Sequence, residues 1–159
     1  MLPAAALARL AARSLDAAGA PAPASVGLIL ADDGELAALN AEHMSKRGPT
    51  DVLSFPLFEA AAFPPHVDQS GDVASAGGRF RLPPGQRVHL GDVVVSVERA
   101  VEQAKQGRGG QTSDRASSAG EELALLVVHG VLHVCGWDHA EPAEELAMRA
   151  LERRILAGR

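Results

Sequence analysis

His129-Gly130-Val131-Leu132-His133-Val134-Cys135-Gly136-Trp137-Asp138-His139 holds three of the six histidines in the chain. Ahead of it runs Leu123-Ala124-Leu125-Leu126-Val127-Val128, apolar and long enough for a buried helix. At about 100° per residue, His129 and His133 fall about 40° apart on one helical face, one turn from each other. An i, i+4 pair is the spacing by which a helix offers two imidazoles to a zinc ion. Gly136 is placed to end that helix, because glycine takes the left-handed conformation beyond a helix C-terminus at little steric cost. The chain can then turn and bring His139 back as a third ligand. Three imidazoles with an open fourth position describe a catalytic zinc site more than a structural one. Cys135 lies about 200° around the helix from His133 and points away. It reads as a small buried hydrophobe.

The spacing resembles the metzincin protease pattern H-E-x-x-H-x-x-G-x-x-H, except that Gly130 stands where the protease carries its general-base glutamate. Metal-activated water survives that change; the protease base does not. A zinc peptidase drawing its base from elsewhere stays open as an alternative. So does a binding protein whose zinc is structural.

The rest of the chain bounds these readings. Its 159 residues suit one domain, 1–159, with a real core. At 47% hydrophobic and 22% charged it reads as a soluble globular protein. One cysteine excludes an internal disulfide framework and suits a reducing compartment. A formal net charge of −5 gives no bulk attraction to nucleic acid, so RNA binding needs a local basic patch. No apolar run approaches the length of a membrane span. Arg9 and Arg13 interrupt the apolar N-terminus and break the pattern of a secretory signal, with an Arg-rich transit peptide as the weaker rival. The expected location is cytoplasmic.

Residues 3–18 read as a helix, with Leu7, Leu10, Ala11 and Leu15 on one face, ended by Gly19, Pro21 and Pro23. Val26–Leu30 reads as a strand, and Asp32 or Asp33 caps a helix running to about His43. A polar basic loop follows, then a short strand stopped by Pro56. In the loop, Lys46 and Arg47 have the chemistry to hold a phosphate, with a plain solvated loop as the alternative. Thr50 and Asp51 have turn-fixing side chains. Residues 57–87 read as an irregular surface excursion with one hairpin at most, carrying an exposed His66 and the cations Arg79, Arg81 and Arg87. Val88–Ser96 is the clearest strand, with both faces covered. Ser96 or Glu98 opens a helix through Ala104, and Gly- and Ser-rich residues 107–120 read as a mobile linker. The core helix spans about Glu121 to Cys135. Pro142 opens the last helix, whose apolar positions are Leu146, Met148, Leu151, Ile155 and Leu156.

The catalytic candidates are His129, Asp138 and Glu122. Asp138 can orient an imidazole by accepting its second N–H, or simply fix a turn. Glu122 lies about 10 Å from His129 along the axis, long for a base at the metal. Its first-turn position suits the helix macrodipole.

The histidine stretch also resembles the H-G-x-L-H-x-x-G-[YW]-D-H signature of the YbeY family, bacterial zinc-dependent endoribonucleases of rRNA maturation. Leu39-Asn40, followed by Pro49-Thr50-Asp51-Val52-Leu53-Ser54-Phe55-Pro56, is similar to that family's L-N…P-T-[DN]-V-L-S-F-P. Leu90–Ser96 is similar to its L-G-D-I-[VA]-[IV]-S, and Met148 with Glu152–Leu156 to its C-terminal helix. The resemblance implies an α+β fold, a small mixed β-sheet flanked by helices, with the metal site at the end of a core helix. It implies one zinc ion on His129, His133 and His139. It implies hydrolysis of single-stranded RNA in small-subunit rRNA 3′-end maturation and ribosome quality control. The implied partners are that RNA and the ribosome or its proteins, with no membrane and no DNA. Where the family usually carries Arg, four residues after the Asn, this chain has Met44, and Lys46 or Arg47 are the cations at hand. The 57–87 excursion is longer and richer in Pro and Gly than is usual for the family.

Overall fold

The computed structural model describes residues 2–63, 85–106 and 118–158. Helix α1 spans Ala4–Ala17, strand β1 Ala24–Ala31, helix α2 Asp33–Met44 and strand β2 Val52–Pro56. Strand β3 spans Val88–Ser96, helix α3 Val97–Lys105, helix α4 Ala119–Val134 and helix α5 Pro142–Ala157. A 3₁₀ turn covers Ala60–Ala62. These elements form the α+β arrangement expected.

Local chemistry sets the boundaries. The Asp32 side chain accepts from the Glu35 backbone N–H while Glu35 reaches back to the Asp32 N–H, a reciprocal cap that starts α2. Ser96 accepts from the Arg99 N–H and starts α3. Ser118 and Glu121 form the same kind of reciprocal cap on α4. Residues 118–120 therefore belong to a helix start, not to the expected linker. Pro142 stands in the first turn of α5, where its missing N–H costs nothing.

The sheet order is β1-β3-β2, with β3 in the centre. β1 pairs parallel to β3 from Ala24↔Val88 to Ala31↔Ser96, with a register break between Ser25 and Gly27. β2 pairs antiparallel to β3 from Val52↔Val95 to Pro56↔Gly91. As the central strand, β3 buries side chains on both faces, which explains its near-continuous apolar run. Val88, Leu90, Val93 and Val95 join the main core with α1, α4 and α5. Val94 joins Ala31, Leu36 and Leu53 on the α2 side.

The main core is built around α4, which packs against α1, α3, α5, β2 and β3. Leu123, Ala124, Val127, Val128, Val131, Leu132 and Val134 are all buried, so this helix is apolar around most of its circumference. Each buried Leu or Val contributes on the order of 2 kcal/mol of hydrophobic stabilisation. Met148 on α5 belongs to the same core. The histidines at the C-terminal end of α4 thus project from the best-anchored element of the fold. His66, Arg79, Arg81, most of the 57–87 excursion, and 107–117 of the expected linker lie outside the described residues.

Candidate metal centre

The end of α4 is shaped by Gly136. It has φ +80°, in the left-handed region that glycine takes freely. The Trp137 N–H bonds the Leu132 carbonyl at 3.0 Å and the Gly136 N–H bonds the His133 carbonyl at 3.0 Å. This pair of bonds is the Schellman closure of a helix. It reverses the chain and carries His139 back over the helix end, where Asp138 Oδ1 accepts from the His139 backbone N–H at 2.7 Å. The ring centroids of His129 and His133 are 4.6 Å apart, those of His129 and His139 5.5 Å, and those of His133 and His139 5.1 Å. One ring nitrogen from each lies within 4.8 Å of the others.

The hydrogen bonds around the rings decide what this cluster can bind. His129 Nδ1 lies 2.8 Å from Glu152 Oε1, and His133 Nδ1 lies 2.8 Å from the Trp137 carbonyl oxygen. A carbonyl and a carboxylate only accept, so each Nδ1 is the donor and each neutral ring has a bare Nε2. The two Nε2 atoms face each other at 3.1 Å. Two lone pairs cannot hydrogen bond to each other; they suit a cation between them. Tetrahedral zinc with Zn–N of about 2.05 Å spaces its nitrogens by about 3.3 Å, close to what is seen. The pKa of His133 is lowered to about 4 by burial, with help from the neighbouring His129 and His139. It is held neutral, the form that ligates metal. The residues present therefore fit a zinc ion.

Glu152 is the residue that sequence reasoning missed. It projects from α5, is 1% exposed, and lies 23 residues from His129. A charged residue between the buried Leu151 and Ile155, one turn after the buried Met148, was the available signal. The acceptors beside the His129 and His133 rings are Glu152 and the Trp137 carbonyl, while Asp138 accepts from the His139 backbone N–H. Glu122 is 2% exposed in the first turn of α4 and stands apart from the cluster. Cys135 is buried, its thiol pushed up to about 12 by that burial, and it is not in the ligand cluster.

Gly130 has a steric reason. A Cβ there would lie 2.4 Å from Val93 Cγ1 and 3.0 Å from Val52 Cγ2. Its carbonyl accepts from Ser54 Oγ at 3.0 Å. Helix α4 crosses the sheet at this residue, so a protease-type glutamate has no room.

Beside His133 a cavity of about 480 Å³ opens between the segment after β2 and the turn that ends α4. Leu57, Phe58 and Glu59 line one side, and Trp137 and Asp138 the other. Lys46 and Arg47 are exposed in the loop before β2 and do not line this cleft. β2 separates them from it, five residues or about 13 Å long. The loop is fastened: Asn40 Nδ2 donates to the Gly48 carbonyl at 2.9 Å, and Gln103 Nε2 donates to Asp51 Oδ2 at 3.0 Å. Met44 is 41% exposed at the end of α2.

A small α+β domain with three converging imidazoles beside an open cleft defines a metal-capable hydrolase-like protein. Comparison with known proteins narrows this. The family model for Endoribonuclease YbeY matches residues 3–158. An Endoribonuclease YbeY from Symbiobacterium thermophilum is 38% identical over 152 residues, which is 94% of this chain and 82% of the relative. One from Salinispora tropica is 42% identical over 149 residues, 93% of this chain and 82% of the relative. One from Mycolicibacterium gilvum is 40% identical over 133 residues, 84% of this chain but 62% of the longer relative. The solution structure of TM1509 from Thermotoga maritima superposes with a TM-score of 0.54 over 99% of this chain and 87% of that one, at 18% identity, a likeness of fold. The chain belongs to the YbeY endoribonuclease family, a family of hydrolytic nucleases.

Proposed function

We propose that this protein is a zinc-dependent, single-strand-specific endoribonuclease that acts in small-subunit rRNA 3′-end maturation and ribosome quality control. The observation that carries the reading is the pair of bare Nε2 atoms at 3.1 Å, joined by His139, beside an open cleft. Family membership supplies the substrate class. His129, His133 and His139 hold one zinc ion. When bound, the ion supplies Lewis acidity, lowering the pKa of a coordinated water and neutralising charge on a phosphoryl oxygen.

The chain's own residues do the rest. Glu152 and the Trp137 carbonyl keep the Nδ1 protons in place, so both Nε2 lone pairs stay aimed at the ion. The cleft between residues 57–59 and 136–138 receives the strand. Lys46, Arg47 and the backbone at Gly48 hold phosphates that flank the scissile one, since β2 separates them from the cleft. Asp138 acts through the turn that presents His139, and Glu122 through the start of α4. The expected partners are small-subunit rRNA and the ribosome, in the cytoplasm. Among the described residues no helix is long and apolar enough to cross a membrane.

The test compares wild type and His133→Ala on a single-stranded RNA oligonucleotide, with zinc content measured on the same samples. Loss of both zinc and cleavage in the variant is expected. A variant with full zinc and full cleavage would remove the site assignment. A zinc-loaded wild type that leaves RNA intact would remove the nuclease reading.

A further inference from the structure

Hydrolysis of a phosphodiester by water is accelerated by a group that takes the water's proton, and the position that supplies it in proteases of this histidine spacing is closed. At Gly130 even a methyl group would lie 2.4 Å from Val93. A general base in this chain therefore sits on another element. Among the described residues, two acids line the cleft that His133 also lines, Glu59 and Asp138. Asp138 has one oxygen engaged in holding the turn, since its Oδ1 accepts from the His139 N–H. Glu59 precedes the 3₁₀ turn, and its side chain makes no capping bond to it. Its backbone is nonetheless held, since its carbonyl accepts from the Ala62 N–H at 2.9 Å.

The wall that carries Glu59 is pressed against the end of α4. A Cβ on Gly136 would lie 3.0 Å from Ala60 Cα and 3.0 Å from the Phe63 ring. The glycine that ends the metal-bearing helix also admits the neighbour of Glu59 to close contact. Glu59 thus lines the cleft from a backbone that is packed in place, with its side chain exposed. A negative charge there also opposes the phosphates of a bound strand, so it works against ground-state binding.

We infer that Glu59 is the general base of the reaction. Its carboxylate accepts a proton from the attacking water as the oxygen bonds to phosphorus. The bond from phosphorus to the leaving ribose oxygen breaks, and that oxygen takes up the proton, returned from Glu59 or from solvent. The inference rests on the nuclease reading above and deepens it. Water and not the ribose 2′-hydroxyl is then the nucleophile, and the products carry no cyclic phosphate.

The experiment uses the zinc-loaded protein, a single-stranded RNA oligonucleotide, and the variants Glu59→Gln and Glu59→Ala. Both variants are expected to keep wild-type zinc content. Their kcat should fall by about 10²–10⁴-fold, the usual contribution of a positioned base. KM should stay level or fall, because a repulsive charge has gone. Added formate should restore part of the lost kcat to Glu59→Ala and none to His133→Ala. Full kcat in Glu59→Gln, a raised KM with unchanged kcat, loss of zinc, or no rescue by formate would each overturn the assignment. A cyclic phosphate product would overturn it while leaving the nuclease reading intact; an inactive, zinc-loaded wild type would overturn both.

Discussion

Gly130 and Glu152 show how single side chains decide what the site is. Gly130 trades a side chain for contact with the sheet, and Gly130→Ala is expected to cost about 1–3 kcal/mol as overpacking against Val93 and Val52. A thermal melt of the variant against wild type measures this. Glu152→Ala leaves His129 Nδ1 without its acceptor, and a fall of about 10–100-fold in zinc affinity is expected from a competition titration. His133 gives the pH dependence of the metal-free protein. Its folded pKa, about 4, lies below the ordinary 6.5. Above pH 6.5 both folded and unfolded forms are neutral and the full stability is present. As pH falls from 6.5 toward 4 the unfolded chain takes a proton that the folded one refuses, so stability declines. Melts of metal-free protein across that window should show a falling Tm, and His133→Ala should flatten the trend.

At the level of elements, α4 is the main holder of the site. Its start depends on Ser118, whose side chain accepts from the Glu121 N–H at 3.2 Å. Ser118→Ala is expected to destabilise the protein by about 0.5–2 kcal/mol while leaving zinc stoichiometry at one, read by a melt and by metal analysis. The helices and strands were legible because their signals are local: apolar spacing in α1, β-branched residues in β3, Pro142 at the start of α5. The three histidines and Gly136 were legible for the same reason, being confined to one turn and its closure. Glu152 was not, because its partner lies on another helix and only packing brings α5 against α4. The reason for Gly130 was equally hidden, since Val93 and Val52 reach it from two different strands. Asp138 was half legible. Its place beside the site followed from the sequence, but which acceptor each imidazole finds depends on a backbone carbonyl and on α5.

For the molecule as a whole, the core does not pass through the metal site. The buried cluster joins α1, α4, α5 and β3 through aliphatic side chains, and the histidines stand at its margin. Removing the metal with a chelator is therefore expected to lower Tm through lost binding energy while the helical circular dichroism at room temperature persists. Collapse of the spectrum on chelation would instead mark the zinc as structural.

The bond from Glu152 to His129 has a consequence in time. Chain order places the three histidines before α5, so during synthesis all of them exist before the residue that holds the first in its ligating tautomer. The nascent chain therefore carries an unfinished site until α5 has been made and has docked against α4.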